Sequence, residues 1–142
     1  MRIADLLTGK GSFVLTIAPT ASVTDLLAVL AERNVGAVVV GEDNRVDGIV
    51  SERDVVRRLH DRGPQILDGP VSAVMTTLVV TCRASDDVET LTVLMTEKRV
   101  RHVPVVDEDG ALSGIVSIGD VVKSRIDQLE GDRRQLEAYI AQ

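Results

Sequence analysis

The chain has 142 residues, 44% of them apolar and 27% charged, and contains no apolar run long enough to span a membrane. Its net charge of −6 and its two aromatic residues, Phe13 and Tyr139, argue against the basic face and the stacking rings that nucleic-acid polymers require. MRIADLLTGKGS at the start has too short an apolar run for a signal peptide, and Cys82 is the single cysteine. We therefore expect a cytoplasmic protein without an internal disulfide.

The first half of the chain contains the elements of a small α/β unit. IADLL is a lead-in segment that precedes the first predicted strand. Residues 14–17 have the length and β-branched content of a strand. PTAS supplies a helix cap, and apolar residues follow at helical spacing: Val23, Leu26, Leu27 and Leu30. Residues 38–40 predict a buried strand. After the turn GEDN, a further strand ends in Gly-Ile-Val, and SERDVVRRL predicts a helix.

The second half repeats this order. A strand is predicted over residues 79–82, RASD supplies the cap, and a helix is predicted from the spacing of Val88, Leu91, Leu94 and Met95. A buried strand over residues 103–106, the turn DEDG and a strand ending in Gly-Ile-Val come next. GIVSERD at 48–54 and GIVSIGD at 114–120 therefore stand at the same strand-to-helix turn in two repeats, 66 positions apart. VSAVM is the second lead-in segment.

The link DRGPQILDGP, rich in Gly and Pro, joins the halves. We place the domains at residues 1–66 and 67–126, with a C-terminal helical extension over 127–142. Apolar residues in the tail follow a near-heptad seam interrupted at Arg133: Val122, Ile126, Leu129, Leu136 and Ile140. The seam either packs on its own domain or extends a dimer contact. Gly131 should weaken this helix by about 1 kcal/mol and is the expected place of a bend.

This order of elements, with GIVSERD, GIVSIGD and RHVPVVDEDG in place, resembles the cystathionine β-synthase (CBS) domain family over nearly the whole chain. Two such domains in tandem form a CBS pair, or Bateman module, and the sequence resembles a stand-alone pair. The resemblance implies an α/β (α+β) fold of two β-α-β-β-α domains packed sheet to sheet with pseudo-twofold symmetry, plus the extended C-terminal helix. It also implies two clefts that hold adenosine compounds.

The repeated Ser-x-x-Asp can be read in two ways. Ser51 with Asp54, and Ser117 with Asp120, have the spacing of a helix capping box, although Glu or Gln is the usual partner. A carboxylate at such a turn also suits the hydroxyls of a ribose. By position, the resemblance implies that both aspartates bind ribose and that both serines contact ribose or phosphate. Capping and binding can coexist.

Basic residues near the motifs are candidates for phosphate. The resemblance points to Arg101 and His102 at the entrance of an inner strand, and Arg53 lies inside the first motif. Other basic residues are expected to form a solvated helix face: Arg57, Arg58, Arg62 and Lys98. Gly119 stands at the position of Arg53 in the second motif, and the first half has Gly36-Ala37 where the second has Arg101-His102. We therefore expect the two clefts to differ.

Three further positions join the candidate site. Thr16 and Thr81 end the first strand of each half, a stretch that lines the adenine pocket in the resembled family, and Pro104 lies in the inner strand after His102. The alternative for the threonines is ordinary β-branched filler. Cys82 is expected to be inert core.

No catalytic or metal-ligand spacing is present, so we do not expect an enzyme. The main hypothesis is a regulatory module that binds an adenosine compound (AMP, ADP, ATP, NAD(H), NADP(H) or S-adenosylmethionine) and signals to an unknown protein partner by conformational change. We also expect a homodimer. The alternative is a constitutive interaction or scaffold protein whose clefts stay empty.

Overall fold

A computed structural model describes residues 1–11 and 14–141. Within these residues the chain forms, in order, α1 (Ile3–Lys10), β1 (Thr16–Ile17), α2 (Val23–Arg33), β2 (Ala37–Val40), β3 (Gly48–Ser51), α3 (Glu52–Arg62), α4 (Val88–Lys98), β4 (His102–Val106), β5 (Leu112–Ser117) and α5 (Ile118–Ala141). Short 3-10 segments at Pro64–Asp68 and Val71–Ala73 lie in and after the link. The predicted repeat of elements is confirmed.

The two sheets have the same plan, with one difference. In the first half β2 is central, parallel to β1 and antiparallel to β3; in the second half β4 pairs antiparallel with β5. The strand predicted over residues 79–82 is reduced to one parallel bridge between Cys82 and Val105. The pairing of Thr16 with Val39 would have its counterpart at Thr81 and Pro104. Because proline has no backbone N–H to donate, that rung cannot form.

Each domain core is completed by a segment that precedes the other domain. Ile3 of α1 is fully buried in the core of the second domain, and its N–H donates to the carbonyl of Asp86 at 2.9 Å. Val71 and Val74 are buried in the first core, and the N–H of Val71 donates to Ala21 at 2.8 Å. The packing therefore crosses the domain limit that we placed between residues 66 and 67.

The same two segments explain the first glycine of each repeated motif. A Cβ atom at Gly114 would lie 2.8 Å from Leu7 Cδ2, and one at Gly48 would lie 2.6 Å from Met75 Sδ. Leu7 and Met75 occupy equivalent places, four residues after Ile3 and Val71. At Gly48 an added Cβ would also lie 2.9 Å from the backbone carbonyl oxygen of Thr76, so a side chain is excluded there, whereas at Gly114 the flexible end of Leu7 would have to shift.

Helix α5 is longer than the predicted extension. It begins directly after the second motif and runs without interruption through Gly131, so the limit placed at residue 127 lies inside one helix of 24 residues. Val121 is its one buried residue among those described. No helix within residues 1–11 and 14–141 is long and apolar enough to cross a membrane.

The two domains touch at both ends of their inner strands. The N–H of Leu112 donates to the carbonyl of Asn44 at 2.8 Å, which links the turns of the two halves. The ring of His102 lies against Gly36, where an added Cβ would be 3.6 Å from His102 Cε1. The contact of His102 with Gly36 brings the strand entrances of both domains, and the strand-to-helix turns beside them, into one region.

Candidate functional site

The first Ser-x-x-Asp motif forms a reciprocal helix cap. The Ser51 N–H donates to Asp54 Oδ2 at 2.9 Å, and the Asp54 N–H donates to Ser51 Oγ at 3.2 Å. The second carboxylate oxygen, Oδ1, accepts a hydrogen bond from the Thr76 hydroxyl at 3.2 Å. One oxygen therefore serves the cap while the other faces a neutral, exposed hydroxyl.

The second motif has the same cap and a different neighbour. The Ser117 N–H donates to Asp120 Oδ2 at 2.8 Å, and the Asp120 N–H donates to Ser117 Oγ at 3.2 Å. The ammonium of Lys10 also donates to Asp120 Oδ2, at 2.6 Å. Burial acts to raise the pKa of Asp120, but the hydrogen bonds from Lys10 and Ser117 outweigh it, so the pKa lies below its ordinary value.

The start of each helix that follows a motif is held by the entrance of the inner strand. The N–H of Glu52 donates to the carbonyl of Gly36 at 3.0 Å, and the N–H of Ile118 donates to that of Arg101 at 2.8 Å. Each bond satisfies one of the N–H groups that a helix leaves unpaired at its first turn. Strand entrance, motif and helix start therefore form one unit in each domain.

A cavity of about 440 Å³ lies beside Asp54. Its lining consists of Thr76 and residues of α3: Asp54, Val56, Arg57, Arg58, His60 and Asp61. Arg57 and Arg58 were expected to be a merely solvated face. Their positions three and four residues after Asp54 place them beside it on the helix, and both remain accessible, as a solvated helix face would be. Arg53 is exposed and is not among the lining residues.

The other predicted site residues are spread over the two sheets. Thr16 is exposed on β1 opposite Val39, and Thr81 is exposed next to the Cys82 bridge. Pro104 is buried in β4, where its carbonyl accepts from the Cys82 N–H at 3.0 Å. Burial, with a smaller effect of Asp86, raises the pKa of the Cys82 thiol to about 12, which agrees with an inert core residue.

The pKa of His102 lies below its ordinary value. Burial lowers its pKa, and the positive charges of Lys10 and Arg101 lower it further, whereas Asp120 and Glu52 act in the opposite direction. The imidazole is therefore favoured in its neutral form. Arg101 is exposed beside it. Lys10, which the sequence analysis missed, is 110 residues from Asp120 along the chain.

Comparison with known families decides the identity of the fold. The sequence model described as "CBS domain" matches residues 12–61 and 71–127, which together cover most of the chain. The chain belongs to the CBS domain family. It is a tandem CBS pair, and each matched segment contains one copy of the Gly-Ile-Val-Ser-x-x-Asp motif.

Individual relatives agree with this assignment. The CBS-domain protein ATU1752 of Agrobacterium tumefaciens is 43% identical, with a TM-score of 0.83 over 88% of this chain and 99% of that one. The mitochondrial CBS domain-containing protein CBSX3 of Arabidopsis thaliana is 35% identical over 84% of this chain. The matched part covers 60% of the length of CBSX3. The CBS-domain protein PAE2072 of Pyrobaculum aerophilum, solved in complex with AMP, is 29% identical with a TM-score of 0.73, over 84% of this chain and 89% of its own.

Among the described residues, no group of three or more His, Cys, Asp or Glu side chains could hold a metal ion. What the site does offer is a carboxylate at a helix start in each domain, with basic side chains nearby. Such an arrangement can accept hydrogen bonds from ribose hydroxyls and place cations near a phosphate.

Proposed function

We propose that this CBS pair is a regulatory module that binds an adenosine compound at Asp54, at Asp120 or at both, and signals occupancy to a protein partner. The observation that carries the proposal is the repeated carboxylate. In each motif the cap uses Oδ2, and the other oxygen can still accept a hydrogen bond from a ligand hydroxyl: Asp54 Oδ1 accepts one bond, from Thr76, and Asp120 Oδ1 accepts none from the residues that the structure describes. Both carboxylates therefore offer an acceptor at the start of a helix.

The ligand class follows from the chemistry around the carboxylates. Ribose hydroxyls are donors that match a carboxylate, and the cavity beside Asp54 adds Arg57 and Arg58 as partners for phosphate. The complex of PAE2072 with AMP supports an adenosine ligand in this family. We include ADP, ATP, NAD(H), NADP(H) and S-adenosylmethionine as candidates. Such ligands are compatible with the cytoplasmic location that we expect from the sequence.

The remaining site residues fit the same proposal. Ser51 and Ser117 hold the aspartates, Thr16 lies on β1 next to the inner strand, and Thr81 precedes the Cys82 bridge at the corresponding place in the second domain. Arg101 and His102 stand beside Asp120 in the second domain. We assign Arg53 and Pro104 a smaller part, because Arg53 is not among the residues that line the cavity and Pro104 is buried in the sheet.

Signalling requires that ligand binding changes the balance between two arrangements of the protein. The contact of His102 with Gly36 joins the two domains beside the sites, whereas the bond from Leu112 to Asn44 joins them at the opposite ends of the strands. A ligand that inserts beside His102 would alter the first of these contacts. We further propose that the CBS pair acts as a homodimer through its helices, because α5 exposes an apolar seam.

Asp54→Asn and Asp120→Asn variants test the ribose assignment. Asn has a similar size and caps helices well, so the free energy of unfolding should change by no more than about 1 kcal/mol. The affinity for an adenosine compound at the altered site should fall roughly tenfold or more, because a bond to a charged acceptor contributes about 1.5–3 kcal/mol. A thermal-shift panel of the candidate nucleotides selects the ligand, and calorimetry measures the affinities.

The outcomes separate this proposal from a scaffold with empty clefts. Variants that lose binding and keep their melting temperature support a ligand site. If both variants melt several degrees lower and bind as the wild type does, the aspartates serve the fold alone. If the wild type binds no compound of the panel, the scaffold alternative stands.

A further inference from the structure

Lys10 lies at the candidate site of the second domain although it precedes the first domain in sequence. Its Nζ donates to Asp120 Oδ2 at 2.6 Å and to the carbonyl of Ile115 at 2.8 Å. Lys10 ends helix α1, which is anchored on the second domain by the fully buried Ile3. The ammonium is therefore held at Asp120 by the packing of a whole helix.

The Lys10 and Asp120 pair leaves one donor and one acceptor for a ligand. An ammonium has three N–H groups, and Lys10 uses two of them in these bonds. Asp120 Oδ2 accepts from Ser117 and Lys10, whereas Oδ1 accepts no hydrogen bond from the residues that the structure describes. The side chains are 34% and 25% exposed, so the pair can be reached from solvent.

The pair also decides the charge that a ligand meets. Alone, the carboxylate of Asp120 would repel a phosphate; paired with Lys10 it is neutral, and Arg101 adds positive charge nearby. The first domain differs, because Asp54 contacts the neutral hydroxyl of Thr76 and makes no salt bridge within residues 1–11 and 14–141. A cation bonded directly to the ribose-binding carboxylate is thus a property of the second site.

We propose that Lys10 makes the Asp120 site selective for adenosine compounds that carry a 5′-phosphate over adenosine itself. The inference rests on the proposed function and names a ligand class for one of its two sites. In the bound state a ribose hydroxyl donates to Asp120 Oδ1, and the third N–H of Lys10 donates to a phosphate oxygen. Lys10 acts here as a specificity-determining residue.

The test compares AMP with adenosine by calorimetry in the Asp54→Asn background, so that binding reports the Asp120 site. The additional changes are Lys10→Met, Lys10→Arg and, as a matched control, Lys98→Met, which removes an exposed lysine at the end of α4. Lys10→Met should reduce the preference for AMP over adenosine about tenfold without weakening adenosine, since one charge-assisted bond is lost. Lys10→Arg should keep the preference, and Lys98→Met should leave it unchanged.

Each other result overturns the inference in a recognisable way. If Lys10→Met leaves the preference unchanged, or weakens both compounds equally, Lys10 has only a structural role and the proposed function stands. If the Asp54→Asn protein binds neither compound while the wild type binds AMP, the Asp120 site is not a ligand site. If the wild type itself binds neither compound nor any other nucleotide of the panel, the proposed function fails first.

Discussion

Asp in place of the more usual Glu or Gln at the third position of the cap has a geometric consequence. The short side chain reaches back to the serine N–H with one oxygen, at 2.9 Å for Asp54 and 2.8 Å for Asp120. It therefore keeps the second oxygen close to the helix start, where positive dipole and ligand would meet.

His102 should make stability depend on pH. Its pKa is lower in the folded protein than the ordinary value of 6.5, mainly through burial and then through Lys10 and Arg101, against Asp120 and Glu52. The folded state then binds fewer protons than the unfolded one, so the free energy of unfolding should fall as the pH drops below about 6.5 toward the folded-state pKa. In His102→Gln this part of the slope should disappear.

Urea unfolding between neutral pH and about pH 5 measures the slope. Identical slopes for the wild type and His102→Gln would show that another group is responsible.

At the scale of elements, each lead-in segment packs in the core of the other domain. A substitution in a lead-in segment should therefore destabilise a domain that is distant in sequence. Ile3→Ala removes a fully buried side chain from the second core and should cost about 2–5 kcal/mol. Hydrogen exchange should rise in α4 and β4, which lie about 85 to 100 residues away, more than in α2 and β2. Val71→Ala should show the opposite pattern, because Val71 is buried in the first core.

Leu78→Ala is the matched control, since Leu78 is 91% exposed and should be neutral. Equal exchange in both domains after Ile3→Ala would mean that the two cores unfold as one unit. Protection lost first in α2 and β2 would contradict the packing directly.

The elements could be predicted from sequence where their cause is local. Helix α2 follows from the spacing of Val23, Leu26 and Leu30, and the caps follow from Ser and Asp three residues apart. The packing of Ile3 on the second core could not, because it depends on a contact with no local signal. Lys10 was missed for the same reason. The shortening of the first strand in the second domain could have been predicted from the sequence, because Pro104 has no backbone N–H to donate to that strand.

At the scale of the molecule, the two domains are related by sequence and fold but differ at their sites. The first site has Thr76 on its carboxylate and an arginine-lined cavity, and the second has Lys10, Arg101 and His102. Duplicated domains that keep the capping bonds can change these surrounding residues without losing the fold. Under the proposed function, the two sites would therefore present different charges to a ligand.

The distal part of α5 predicts a dimer. Its seam is half or more exposed: Val122, Ile126, Leu129, Leu136 and Ile140. The residues step by four and three with Arg133 in the gap, which is coiled-coil spacing. Because most of the stability of a helix in a protein comes from the packing of its apolar face, a second copy that covers the seam would stabilise α5. The tail does not pack back on its own domain beyond the first turns, as the exposure along residues 125–141 indicates.

Removing residues 130–142 should therefore weaken dimerisation severalfold and leave the melting temperature of the CBS pair nearly unchanged at low concentration, because the removed residues contribute to neither core. Leu136→Lys should have a similar effect, whereas Gln135→Lys, its exposed neighbour off the seam, should not. Light scattering and sedimentation at micromolar concentration measure the mass and the dissociation constant. A monomer mass for the full chain, or equal dissociation constants for the full and shortened chains, would show that the seam does not join two copies.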